Sequence, residues 1–138
     1  MLSNIGIGLI VSVLCLSFLI IYNASLDLKT VNQSVKKSIY KLSLFQTTFT
    51  VLCFFTLIIG FINSDFSLIN VYENSHTTKP FFYKIAGTWG NHEGSLLLWV
   101  IILVIFSYLF LVFNHAHNKK FRLYTLIFQN VLILGFLF

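Results

Sequence analysis

The sequence predicts an all-α fold, a polytopic bundle of transmembrane helices. Of the 138 residues, 57% are hydrophobic and only 9% are charged, whereas a soluble domain carries about 25% charged residues. Three long runs contain no charged residue, and each can cross a hydrocarbon core of about 30 Å at a helical rise of about 1.5 Å per residue. We therefore predict one membrane domain over residues 1–138, with three complete helices and part of a fourth.

The predicted helices cover residues 5–22, 42–64, 94–114 and 123–138. At the helical rise the last of them reaches only about 24 Å, so we expect the chain to be an incomplete part of a larger bundle. The long connector 65–93 is predicted to be an outward loop.

Two shorter segments in the connectors also carry a structural prediction. Residues 34–41 could form a short interfacial helix, because Val35 and Ile39 would meet lipid on one side of it. Residues 64–75 show a mixed alternation of apolar and polar side chains, which favours extended chain at the membrane surface.

Basic residues in the connectors predict the orientation. The first connector carries Lys29, Lys36, Lys37 and Lys41, the third carries Lys119, Lys120 and Arg122, and the second carries Lys79 and Lys84. By the positive-inside rule, the first and third connectors lie in the cytoplasm or matrix. The N-terminus is then outside, and the loop 65–93 faces the periplasm or the intermembrane space.

Polar side chains and cysteines within the predicted helices can be structural or can serve a specific contact. The glutamine and threonines of residues 46–50 either bond to another helix or satisfy their hydroxyls on their own backbone carbonyls. Cys15 and Cys53 lie in apolar runs and lack CxxC or Cys/His spacing. We predict buried structural cysteines rather than a redox pair or a metal site.

The stretch from Pro80 to Trp99 differs from the rest of the chain, because it combines glycines, tryptophans and ionisable residues at a membrane boundary. Gly87, Gly90 and Gly94 would share one face of a helix and allow close approach of another backbone or a flat ligand. A turn that glycine permits is an equally good interpretation.

Trp89, His92 and Glu93 are spaced i, i+3 and i+4, which would place them on one helical face. A histidine and a carboxylate there could act as a ligand, a proton relay or a recognition pair. The simpler interpretation, which the pattern favours, is that Glu93 and His92 support each other while Trp89 and Trp99 anchor the interface.

The remaining histidines carry weaker signals. His76 lies on the same side as His92, and two histidines could ligate haem iron, but loop histidines are usually solvated. His115 and His117 lie in a basic connector and are interpreted as solvated. We find no catalytic residues, no metal site and no basic stripe of the kind that binds nucleic acid.

Four sequence elements identify a resemblance. They are DFS, V-Y-x-N-S, P-x-x-Y-K and W-G-x-H-E-G-S-L-L-L-W, in this order. Together they resemble the CcmF family, the haem lyase component of system I cytochrome c maturation, either its N-terminal part or a split-subunit form. The family's haem-ligating histidines lie further along than this chain reaches.

The resemblance implies a component of a haem lyase complex without a self-contained catalytic site. It implies haem as cofactor, b type in transit, and partnership with a haem chaperone, other maturation subunits and C-x-x-C-H apocytochrome c. It places the chain in a mitochondrial or bacterial inner membrane. The candidate haem-handling or partner-contact residues are Trp89, Gly90, His92, Glu93, Gly94 and Trp99.

Two other classes of protein remain open from the sequence. One is a small subunit of a respiratory or ion-translocating complex, in which Glu93 would be a proton-path carboxylate. The other is a structural membrane anchor, in which the loop only connects helices.

Overall fold

The structure, a computed structural model, describes residues 2–30, 34–114 and 118–137. These residues form helices and contain no β-strand. The helices are α1 (Leu2–Leu28), α2 (Lys37–Asn63), α3 (Ile69–Asn74), α4 (Phe81–Gly87), α5 (His92–Phe113) and α6 (Lys119–Leu137).

Four of these helices, α1, α2, α5 and α6, are long and apolar enough to cross a membrane. The predicted class, an all-α transmembrane bundle, is confirmed. α6 has the lowest mean hydropathy of the four, 1.3, because Lys119, Lys120 and Arg122 lie in its first turn. It has 19 residues, and it begins one turn before the predicted position.

The four long helices pack as a ring. α1 contacts α2 and α6, and α5 contacts the same two helices, so α1 and α5 lie at opposite corners. Apolar side chains from all four helices fill the centre. One buried cluster includes Ile20, Ile39, Leu111 and Leu123, and a second consists of Val100, Val104 and Ile133.

The prediction of a separate interfacial helix at 34–41 is wrong, because α2 begins at Lys37 and continues without a break. Lys36 is the N-cap residue, and its backbone N–H donates to Asp27 Oδ2 at 3.1 Å. Ile39 is buried in the bundle rather than exposed to lipid. The Asp27 carboxylate at the end of α1 therefore binds the backbone at the start of α2.

The prediction of extended chain at 64–75 is also wrong, because α3 occupies Ile69–Asn74. Val71 is fully buried, and its side chain lies next to Gly60 of α2. Asp65 Oδ1 accepts a hydrogen bond from the Ser67 backbone N–H at 3.1 Å and turns the chain towards α3. The burial of Val71 against α2 thus accompanies a helix in a segment whose alternation of apolar and polar residues was ambiguous.

A buried ion pair ties α1 to α6. Lys119 Nζ lies 3.0 Å from Asp27 Oδ1 and also donates to Thr30 Oγ1 at 2.8 Å. One turn further along α6, the Arg122 guanidinium donates to Tyr40 Oη at 2.6 Å and to the Leu111 carbonyl oxygen. These contacts hold together the end of the bundle that carries the first and third connectors.

Both interpretations of the polar residues in 46–50 apply, to different side chains. Gln46 Nε2 donates across the bundle to Ser17 Oγ at 2.7 Å and to Asn130 Oδ1 at 2.9 Å. The three threonine hydroxyls instead donate to backbone carbonyls four residues earlier on α2. A glutamine side chain is long enough to reach a neighbouring helix, whereas a threonine hydroxyl lies against its own preceding turn.

The two cysteines differ in their surroundings. Cys53 is buried, as predicted, but Cys15 is exposed on the outside of α1, so the prediction for Cys15 is wrong. Both are free thiols. An apolar run in a membrane helix predicts lipid contact as readily as protein contact, because both environments are apolar.

Candidate functional site at the start of helix α5

The candidate residues surround a tight turn between two helices. α4 ends at Gly87 and α5 begins at His92, so Trp89 and Gly90 lie in the connecting turn. The predicted single helical face of Trp89, His92 and Glu93 is therefore wrong. The helix spacing was assumed to continue through the turn, whereas an N-cap interrupts it.

Asn91 is the residue that starts α5. Its side-chain Oδ1 accepts a hydrogen bond from the Gly94 backbone N–H at 2.7 Å, and its Nδ2 donates to the Gly87 carbonyl oxygen at 2.8 Å. The Ser95 hydroxyl lies 2.7 Å from the carbonyl oxygens of both Trp89 and Asn91. Asn91 thus caps α5 and joins it to the end of α4.

Gly87, Gly90 and Gly94 lie so close to neighbouring atoms that a side chain at any of them would crowd the turn. A Cβ at Gly94 would overlap the Thr88 carbonyl oxygen and would lie 2.8 Å from the Thr88 carbonyl carbon. A Cβ at Gly87 would lie 3.1 Å from the Phe61 ring, and one at Gly90 would lie 3.1 Å from the Ala86 carbonyl oxygen.

The shared helical face predicted for these glycines is wrong, because Gly90 lies between the helices. The turn is the correct interpretation of their position. Among the described residues no glycine has a positive φ, so close approach of backbone, rather than conformational freedom, is what requires glycine here.

Asn70 of α3 connects the turn to the preceding loop. Its Nδ2 donates to Asn91 Oδ1 at 3.0 Å and to Glu93 Oε2 at 2.8 Å, and its Oδ1 accepts from Asn91 Nδ2 at 3.0 Å. Glu93 also lies in the first turn of α5, where the helix dipole favours a negative charge. Glu93 thus bonds to Asn70, and not to His92 as predicted.

Asn70 and Asn91 were absent from the predicted site. Asn91 could have been found from the sequence, because an asparagine followed by an acidic residue before a long apolar run is a helix-start signal. Asn70 could not, because the pairing of two side chains 21 residues apart is decided by tertiary structure.

Two lysines brace the loop around this site. Lys84 Nζ donates to Ser64 Oγ at 2.7 Å, at the C-cap of α2. Lys79 Nζ donates to the carbonyl oxygen of Asn74, the last residue of α3, at 2.7 Å. Both cations therefore lie at helix C-termini, where the helix dipole favours positive charge.

The other predicted site residues face outwards. His92 is exposed, and the exposed fractions of the Trp89 and Trp99 side chains are 43% and 58%. His92 and Trp99 are seven residues apart and so lie on one side of α5, about two turns from each other. Phe106 and Phe113 are also exposed and continue this row at the same spacing.

The sequence contains three further histidines, of which the structure describes one, His76. His76 is exposed in the connector between α3 and α4, and His115 and His117 lie outside the described residues. Within residues 2–30, 34–114 and 118–137, no group of three or more histidine, cysteine, aspartate or glutamate side chains is placed to hold a metal ion.

Comparison with known proteins shows which proteins the chain is similar to. The chain is 48% identical over 87 residues to the cytochrome c-type biogenesis protein CycK of Bradyrhizobium diazoefficiens, which covers 63% of this chain. It is 34% identical over 84 residues, 61% of this chain, to the cytochrome c-type biogenesis protein CcmF of Escherichia coli. The resemblance to the CcmF family that the sequence indicates is confirmed, because the chain is similar to several cytochrome c-type biogenesis proteins of that kind.

A further relative matches nearly the whole chain. The cytochrome c-type biogenesis protein NrfE of Haemophilus influenzae is 29% identical over 136 residues, which is 99% of this chain. The chain spans 13% of the length of CycK, 13% of CcmF and 21% of NrfE. No family model matches the chain, and no solved structure matches it.

Proposed function

We propose that this chain acts in cytochrome c maturation, as part of the haem lyase that handles haem and attaches it to C-x-x-C-H apocytochrome c. Similarity to the cytochrome c-type biogenesis proteins CycK, CcmF and NrfE supports the process. The observation that carries the local role is the exposure of Trp89, His92 and Trp99 around a turn that is firmly hydrogen-bonded to α3 and α4. A fixed turn that presents aromatic rings and an imidazole is suited to contact another part of the lyase.

By the resemblance to the CcmF family, the residues that ligate haem iron lie outside this chain. His76 lies in the connector between α3 and α4, whereas His92 is the first residue of α5, and no group of three or more histidine, cysteine, aspartate or glutamate side chains among the described residues is placed to hold a metal ion. The chain's own contribution, in this proposal, is to hold Trp89 and His92 against the haem-bearing segment or at its entrance, with Asn70, Asn91 and Gly94 fixing the turn.

The proposal includes a side of the membrane. Because positive charge is concentrated in the first and third connectors, the turn faces the periplasm or intermembrane space of an inner membrane. This is the side on which apocytochromes would be met. The partners are then a haem chaperone, other maturation subunits and the apocytochrome.

The test is covalent cytochrome c formation, measured by haem stain of denaturing gels, with membrane levels of each variant measured by immunoblot. We expect His92→Ala and Trp89→Ala to lower covalent cytochrome c by about tenfold or more while the chain still accumulates. His76→Ala is the matched control, because His76 is an exposed histidine of the same loop outside the turn.

Unchanged maturation in both turn variants at normal protein levels would contradict the local role. Co-purification decides the process. Isolation with maturation subunits supports the proposal, whereas isolation with a respiratory complex would favour the alternative class.

A further inference from the structure

We propose that the bundle holds one acyl chain of an aminophospholipid in a cavity beside the turn, with the lipid ammonium group against Glu93. The cavity has a volume of about 440 Å³ and lies among α1, α2, α5 and α6 at the end of the bundle where α1 and α5 begin. This volume falls in the range of small-molecule sites, about 300–1,000 Å³.

The lining favours an aliphatic occupant. Apolar side chains such as Ile10, Leu57 and Leu97 provide most of the wall, and Gly6 leaves space because a Cβ there would meet nothing within 4 Å. The wall belongs to helices that cross the membrane, so lipid is the apolar solvent at its edge. An aliphatic chain can fill such a space without leaving a polar group unsatisfied.

Charge selects the headgroup. Glu93 and Asn70 line the cavity, and their hydrogen bond fixes the carboxylate at the start of α5. The ion pair Asp27–Lys119 lies at the opposite end of α1, and within the described part of the chain Glu93 forms no ion pair. The Glu93 carboxylate is therefore available to a cation, and a primary ammonium group can both neutralise it and donate hydrogen bonds to it.

Native mass spectrometry of the purified 138-residue chain tests the proposal. The chain is exchanged into equimolar dioleoyl phosphatidylethanolamine, phosphatidylcholine and phosphatidylglycerol, and retained lipids are counted. We expect one retained phosphatidylethanolamine per chain. Gly6→Leu should reduce its retention about tenfold because the side chain fills the cavity. Gly8→Leu is the matched control, because a Cβ at Gly8 also meets nothing within 4 Å and Gly8 is not in the cavity wall.

A second variant tests the headgroup without altering packing. Glu93→Gln retains an acceptor for Asn70 but removes the charge, so preference for phosphatidylethanolamine over phosphatidylglycerol should fall by about twofold to fivefold, the range of a solvent-exposed ion pair. Glu73→Gln is the control, because Glu73 is an exposed carboxylate of α3 outside the cavity wall. This variant should leave the preference for phosphatidylethanolamine unchanged.

Three results would overturn the proposal. They are no retained lipid in the wild type, equal retention by Gly6→Leu and Gly8→Leu, or a headgroup preference that survives Glu93→Gln. Circular dichroism of each variant reports folding, and if Gly6→Leu misfolds, the Glu93→Gln result decides alone. None of these readouts depends on cytochrome c maturation.

Discussion

Replacing Gly94 by alanine should open the turn that starts α5. The added Cβ would overlap the Thr88 carbonyl oxygen and lie 2.8 Å from its carbon, whereas ordinary contact distances are 3.4–4 Å. The clash is with backbone, so rotation of a side chain cannot relieve it. Either the Thr88–Asn91 turn or the first turn of α5 must move.

The expected cost combines two effects. Forcing an extra methyl group into a packed position costs about 1–3 kcal/mol. Movement of the turn also weakens the 2.7 Å bond from the Gly94 N–H to Asn91 Oδ1, and losing an N-cap costs about 1 kcal/mol. The total of about 2–4 kcal/mol corresponds to a fall in Tm of roughly 10 °C.

Thermal unfolding in detergent, followed by circular dichroism, measures this loss. Gly135→Ala is the matched control, because Gly135 lies within α6 and a Cβ there meets nothing within 4 Å. The reasoning is refuted if the two variants unfold within about 2 °C of each other. If it holds, Gly94→Ala should also lower covalent cytochrome c formation, because Trp89 and His92 flank the displaced turn.

Three further predictions concern the bundle and the loop. Lys119→Met should lower the free energy of unfolding by about 3 kcal/mol, because it removes the ion-pair partner of the buried Asp27 carboxylate. The double variant with Asp27→Asn should regain part of this stability, as measured by denaturant titration. Gln46→Leu should lower the free energy of unfolding by about 1 kcal/mol, because two interhelical hydrogen bonds are lost and such bonds in membranes average about 0.6 kcal/mol each. Thr48→Val loses only a hydrogen bond within its own helix, so its free energy of unfolding should fall by less in the same titration. Hydrogen bonds from the Ser67 side chain and backbone N–H lower the pKa of Asp65 in the folded protein. The ionised carboxylate therefore stabilises the loop at any pH above its unfolded pKa of about 3.9. This stabilisation is lost as the pH falls through the lower pKa of the folded state. Ser67→Ala should raise the pKa of Asp65, as measured by NMR titration; an unchanged value would show that the Ser67 side chain does not act on it.

Much of the site could be located from sequence, but not its internal geometry. The motif around His92 and Glu93 was recognisable because its residue types are unusual at a membrane boundary. The partner of Glu93 was wrongly assigned to His92, because neighbours in sequence were assumed to be neighbours in space. Asn70 fills that place through a contact between α3 and α5.

The sequence by itself determined the membrane class, the approximate positions of the long apolar helices and the resemblance to the CcmF family, because long uncharged runs and an eleven-residue motif are local properties of the chain. Tertiary structure decided what each polar side chain contacts. Gln46 reaches two other helices, Asp27 pairs with Lys119, and Asn70 meets Asn91 and Glu93. In an apolar solvent, polar groups are driven to find one another wherever packing brings them together, and periodicity along one helix does not report which helix lies beside it.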